Sequence, residues 1–97
     1  MRGASKWSLG LDVVKAIPQA KVDLRMNRLH KYDGDELITR PGGTLYVAYV
    51  GHARPGDPRG ADGNRRLVLR VECGRITEMY FSDNHYRPGS WSYITNF

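Results

Sequence analysis

Arg65-Arg66-Leu67-Val68-Leu69-Arg70-Val71-Glu72-Cys73 is the stretch of sequence that decides the fold. Its odd-numbered positions from Leu67 to Cys73 are apolar, whereas its even-numbered positions from Arg66 to Glu72 are mostly charged. Successive side chains of a β-strand point to opposite faces of a sheet, so strict alternation is typical of a strand. The stretch therefore predicts a strand with one apolar face and one face that carries Arg66 and Arg70.

Turns mark further strands on both sides of this stretch. Gly74 leads into a predicted strand from Arg75 to Ser82, and Pro88-Gly89 leads into another from Trp91 to Asn96. Thr44 to Val50, before the central stretch, is rich in the β-branched and aromatic residues that favour strands. Strands joined by short turns predict an antiparallel meander.

The first part of the chain predicts helices. Ser8 is a candidate N-cap for a short helix from Leu9 to Ile17, which Pro18 would end. From Gln19 to Tyr32 the apolar residues fit both a helical stripe and strand alternation, and the helix-forming composition favours a helix. Glu36 to Thr39 fits a short strand.

The predicted fold class is α+β, with one or two N-terminal helices packed on an antiparallel β-sheet of roughly three to five strands. We expect one domain over residues 1–97, with a helical part at 1–40 and a β-meander part at 41–97.

Charge and composition limit the classes of partner. The chain has a formal net charge of +5 at neutral pH and a pI of about 9.7. This favours an anionic partner, nucleic acid being the commonest, although solubility alone also explains such a charge. No apolar run approaches the roughly 20 residues that a membrane span needs, so we expect no membrane partner. The histidines and the single Cys73 are too scattered for a metal site, so we expect no metal and no cofactor.

Two residues of the β part suit RNA cleavage by transesterification. That reaction needs a base for the 2′-hydroxyl, an acid for the leaving 5′-oxygen and a cation for the charged phosphorane. His85, at a predicted strand end, is the candidate acid, and Arg66 is the candidate phosphate clamp. Arg70, Tyr86 and Arg59 are candidate substrate contacts, Tyr86 by stacking on a base or binding a phosphate. An ordinary turn histidine and a solvated strand face are the alternatives.

Two segments, Asn64 to Val68 and Glu78 to Tyr86, resemble the C-terminal half of the small microbial ribonucleases of the barnase and guanyl-specific family. Arg66 matches an arginine that begins a central strand in that family. Asn84-His85-Tyr86 matches an Asp-His-Tyr triplet, with Asn in place of Asp. The resemblance implies helices followed by an antiparallel sheet, and metal-independent cleavage of RNA.

The general base of that family has no counterpart at the matching position. The family carries a glutamate on the strand before the arginine strand, where this chain has Ala48 within Tyr46-Val47-Ala48-Tyr49. Alanine cannot accept a proton. The chain is then an inactive relative, a deliberate knockout of a toxic enzyme, or an enzyme with another base. In the last case His52 is the candidate base.

Three functions follow from these observations. The first is a small basic endoribonuclease, a toxin domain that acts on RNA in the cytoplasm after secretion or after delivery within a larger protein, and that an acidic inhibitor or immunity protein masks. The second is a non-enzymatic module that binds nucleic acid or protein, for example a phage or mobile-element inhibitor. The third is an interaction protein that pairs through an exposed strand edge such as Trp91 to Asn96.

Overall fold

The computed structural model describes residues 2–34, 42–50 and 65–97. Its elements, in chain order, are β1 (Arg2–Ala4), α1 (Lys6–Leu9), α2 (Leu11–Arg25), β2 (His30–Lys31), β3 (Thr44–Tyr49), β4 (Arg66–Glu72), β5 (Arg75–Ser82) and β6 (Trp91–Ile94). The strands form one six-stranded sheet in the order β1-β6-β5-β4-β3-β2, on which the helices pack. The α+β class is confirmed, with more strands than predicted and a mixed rather than purely antiparallel sheet.

The predicted meander forms the middle of the sheet. Strands β3, β4, β5 and β6 pair in this order, each antiparallel to the next. The turn between β4 and β5 is Cys73-Gly74, whose φ angles of 50° and 77° are both positive, as two-residue hairpins of the type I′ require. Arg66 to Arg70 of β4 are all buried, since this strand has neighbours on both edges and both faces. The central stretch of the sequence is thus the central strand of the meander.

The helical part differs from the prediction in its boundaries. Ser5, not Ser8, caps α1 by accepting a hydrogen bond from the Trp7 N–H. Helix α2 begins after Gly10 and continues through Pro18 to Arg25. A proline inside a helix costs roughly 3 kcal/mol, but the residues on either side of this one bury the apolar stripe of α2 in the core. Tertiary packing therefore outweighs the local break.

The segment after α2 is an edge strand rather than more helix. Asn27, with φ of 57°, ends the helical backbone in the left-handed region. His30 and Lys31 then form β2, which pairs with β3 through His30–Val47 and Lys31–Tyr46. The predicted helix from Gln19 to Tyr32 is therefore wrong in its last part, and the predicted strand from Glu36 to Thr39 lies outside the described residues.

Strand β6 is not an edge of the sheet, contrary to the prediction of an exposed edge at Trp91 to Asn96. Strand β1 covers it in a parallel pairing that joins Arg2 to Ser92 and Ala4 to Ile94. Arg2-Gly3-Ala4 has none of the sequence features of a strand, so only pairing with β6 identifies it. Within the described ranges, no helix is both long enough and apolar enough to cross a membrane.

Candidate active site

The two faces of the sheet have different surroundings. On one face, the apolar residues of α2 pack against alternate residues of the strands, including Leu67 and Leu69 of β4. On the other, Val68, Tyr80 and Trp91 form a second cluster, and five residues pack against it: Tyr32, Leu45, Val47, Tyr86 and Tyr93. We call this second surface the aromatic face. Most of its members are aromatic rings, which are the side chains on which nucleobases can stack.

Arg66 lies on the aromatic face, on a strand that has β3 on one side and β5 on the other. It is the first residue of β4 and lies across from Tyr49 of β3 and from Ser82 of β5. Its guanidinium carbon is 4.4 Å from the centroid of the Tyr49 ring. The guanidinium also forms a side-chain hydrogen bond with Tyr86. Arg66 is 8% exposed, so these contacts hold a cation in a largely desolvated position.

The turn between β5 and β6 brings Tyr86 to this arginine and carries His85 next to Tyr86. Both residues have left-handed backbones, with φ of 45° at His85 and 66° at Tyr86. Such conformations cost roughly 1–3 kcal/mol per non-glycine residue and persist only where the surroundings impose them, which is most often at functional sites. The Tyr86 ring stacks on Trp91, with centroids 5.7 Å apart and an interplanar angle of 26°. The His85 ring lies 5.0 Å from that of Tyr86.

Burial raises the pKa of Tyr86 above the usual value of a phenol. The positive charge of Arg66 and the hydrogen bond between the two side chains oppose this effect, and the neighbouring Tyr49 adds to it. The net direction is upward because the loss of water around the half-buried phenol dominates. Tyr86 therefore keeps its proton at neutral pH and is available as a hydrogen-bond donor to a phosphate oxygen.

Arg70 shares the face of Arg66 but has a different environment. Its side chain is 1% exposed, and its Nε lies 2.6 Å from Oε1 of Glu78 on β5. Its Nη1 donates a hydrogen bond to the carbonyl oxygen of Gly42, just before β3. These contacts join three parts of the sheet and direct the guanidinium away from solvent. Arg70, predicted as a substrate contact, is placed as a structural residue.

Ala48 lies on the other side of the sheet from Arg66. It is 5% exposed, lies across from Leu67, and belongs to the core that packs on α2. The residue across from Arg66 on the same face is Tyr49, which is 52% exposed. A glutamate at position 48 would thus lie on the α2 side of the sheet, where Ala48 lines a cavity with Lys15, rather than beside the arginine. The match of Ala48 to the base of the ribonuclease family does not hold in space.

The structure places Tyr86 next to Arg66, with the exposed His85 next to Tyr86. It adds Tyr49 and Tyr32 to this group, which the sequence analysis did not identify. The Tyr32 ring is 5.1 Å from that of Tyr86. The signal for Tyr49 was present: on paired strands, the residue that directly faces Arg66 shares its side of the sheet. His52 and Arg59, predicted as a base and a substrate contact, lie outside the described residues.

Two cavities adjoin strand β3. One of about 340 Å³ lies next to the candidate site, and its lining includes Tyr32, Tyr49 and Tyr86. The other, of about 510 Å³, lies between α2 and β3, and both acidic and basic side chains line it, including Asp12 and Lys15. The smaller cavity is the one that a nucleotide near Arg66 would reach.

Among the described residues, no group of three or more His, Cys, Asp or Glu side chains is arranged to hold a metal ion. Comparisons with protein families, with curated proteins and with solved structures find no match to this chain. The fold and the site geometry are therefore the observations on which a function can be argued.

Proposed function

We propose that this chain is a small, metal-independent endoribonuclease that cleaves single-stranded RNA by transesterification. The observation that carries the proposal is the grouping of Arg66, Tyr86 and His85 on the aromatic face. A desolvated guanidinium next to a hydrogen-bond donor is suited to the charged phosphorane of this reaction, because electrostatic stabilisation strengthens where water is excluded. The aromatic rings around it supply surfaces on which unpaired bases stack.

Each residue has a role in this reaction. Arg66 binds the scissile phosphate, and Tyr86 donates a hydrogen bond to it. His85, exposed on its turn, gives a proton to the leaving 5′-oxygen. Tyr49 and Tyr32 hold the adjoining nucleotide. The base that accepts the 2′-hydroxyl proton is His52, which the chain carries soon after β3.

The net charge of +5 suits RNA as the substrate, and it equally suits an acidic inhibitor protein as a partner. A toxin domain that acts in the cytoplasm, after secretion or delivery within a larger protein, is the biological setting that we propose.

The proposal is tested by incubating the protein with a fluorescent single-stranded RNA in the presence of EDTA. We expect cleavage, with a loss of about 10²–10⁴-fold for His85→Ala, the range typical of a general acid. Arg75→Ala is the control, since Arg75 is exposed at the first position of β5, at the opposite end of that strand from Ser82. Arg66→Lys keeps a positive charge but loses the planar fork of donors, so we expect a smaller but distinct loss. Cleavage that survives His85→Ala and Arg66→Lys undiminished would contradict the assignment.

A second function, binding without catalysis, has a specific observation in its favour. Arg66 is 8% exposed, and the half-exposed Tyr49 ring lies against its guanidinium. A phosphate reaches the guanidinium only if that ring moves, whereas a base can stack on the outer face of Tyr49 as it stands. A binding module would show salt-dependent affinity for RNA with no turnover in the same assay.

A further inference from the structure

We propose that Ser82 is a positioning residue, whose buried hydroxyl fixes the turn that carries His85 and sets Tyr86 beside Arg66. The catalytic consequence rests on the proposed function, while the effect on the turn does not. Ser82 touches no substrate in this account and acts through the two residues that do.

The position of Ser82 connects the two halves of the candidate site. It is the last residue of β5 and is 0% exposed. On one side it lies across from Arg66 of β4, and on the other across from Trp91 of β6, on which Tyr86 stacks. A substitution at Ser82 therefore changes the surroundings of Arg66, of the stacked Tyr86 and Trp91 rings, and of the turn.

The hydrogen bonds around Ser82 can be assigned a direction. Its Oγ accepts from the backbone N–H of Tyr86 at 2.9 Å and, more weakly, from that of Asn84 at 3.4 Å. It lies 2.8 Å from the Oγ of Ser90, whose own hydroxyl donates to the carbonyl oxygen of Arg87 at 2.6 Å. Because the Ser90 proton is used, Ser82 is the donor between the two hydroxyls. A hydroxyl has one proton and two lone pairs, so Ser82 uses all of its capacity.

This chain of bonds fixes the unusual backbone of the turn. The Tyr86 N–H donates to the Ser82 Oγ, and the backbone at His85 and Tyr86 is left-handed where this bond forms. Without an acceptor at position 82, that N–H must turn toward water, and the backbone is free to return to a commoner conformation. The Tyr86 side chain would then leave its place beside Arg66, and His85 would move with it.

The experiment uses Ser82→Ala in the full chain, with Ser92→Ala as the matched control, since Ser92 lies on the neighbouring strand β6 across from Phe81. Amide hydrogen exchange by NMR compares Tyr86 with Val68, an amide of the central strand. We expect faster exchange at Tyr86 relative to Val68 in Ser82→Ala, and no such change in Ser92→Ala. Steady-state cleavage of RNA supplies the second measurement. We expect kcat to fall about 100-fold, as a misplacement near 1 Å can produce, with KM nearly unchanged.

The outcomes separate this inference from the function on which it rests. Unchanged exchange at Tyr86 relative to Val68 in Ser82→Ala would overturn the inference about Ser82. Faster exchange in that variant with an unaltered kcat would overturn it as well. Loss of cleavage in His85→Ala but not in Ser82→Ala would leave the ribonuclease standing and remove Ser82 from it. If the unaltered protein cleaves no RNA, the function fails, and the exchange comparison alone decides whether Ser82 holds the turn.

Discussion

Breaking the buried ion pair between Arg70 and Glu78 should destabilise the fold more than any surface change. The perturbation is Glu78→Gln, which removes the negative charge with almost no change in volume. Arg70 is 1% exposed and the Glu78 side chain 15%, so the guanidinium keeps its charge in a nearly dry position after the change. The change removes the carboxylate that lies 2.6 Å from its Nε.

The expected size follows from the geometry. Removal of one partner of a buried pair costs roughly 3–5 kcal/mol. Here Glu78 is partly exposed, and glutamine keeps a polar oxygen next to the guanidinium, so we expect about 2–3 kcal/mol. In a domain of this size that corresponds to a fall in Tm of about 10–20 °C.

Urea unfolding followed by tryptophan fluorescence measures the free energy of unfolding, since Trp91 lies in the neighbouring aromatic cluster. The double variant Arg70→Met/Glu78→Gln serves as the comparison, because it removes the buried charge together with its counterion. Its free energy of unfolding should fall by at least about 1 kcal/mol less than the sum of the falls in the two single variants. Additive effects, or a loss below about 0.5 kcal/mol in Glu78→Gln, would show that the pair does not hold the sheet together.

Two further predictions concern the site. Ala48→Glu should not create activity, because the carboxyl would lie on the α2 side of the sheet, away from Arg66. It should lower the free energy of unfolding by roughly 1–3 kcal/mol at neutral pH, because part of the charged group leaves water. Burial raises the pKa of such a carboxyl, so the loss should shrink as the pH falls through the raised value and be gone at the ordinary value of glutamate; stability equal to that of the unaltered protein at pH 7 would contradict the placement. Tyr86 should ionise at a higher pH than an exposed tyrosine in a spectrophotometric titration, and Arg66→Met should raise its pKa further by removing the opposing charge. Because the pKa of Tyr86 is raised in the folded state, its contribution to stability is fully present below the ordinary pKa of a phenol. That contribution is lost as the pH rises through the raised pKa of the folded state. A lower pKa of Tyr86 in Arg66→Met would refute the role given to the charge of Arg66.

The strands of the meander could be read from the sequence because their signal is local. Alternation along β4 and the turn at Gly74 need no knowledge of the rest of the chain. The extent of α2 could not be read in this way. Pro18 is a local break, and the burial of Val13 and Ile17 that outweighs it exists only in the packed molecule. Strand β1 has no local signal at all, since its pairing partner lies at the other end of the sequence.

The roles of Arg66, His85 and Tyr86 stay predictions that rest on short motifs. The structure places Tyr86 next to Arg66 and the His85 ring next to that of Tyr86. The assignment of Ala48 compared motifs one residue at a time, and a shift of one residue along a strand moves a side chain to the opposite face. The register of β3 against β4, which places Tyr49 across from Arg66, corrects it.

The pairing of β1 with β6 has a consequence for the order of folding. It joins residues about 90 positions apart, as in the pair of Arg2 and Ser92. Contacts between distant parts of a chain form late, because loop closure must come before they stabilise anything. The hairpins of β3, β4 and β5 can form earlier from near neighbours. Until β1 arrives, one edge of β6 presents unpaired backbone groups, and the partly folded chain is open to association with another copy through that edge.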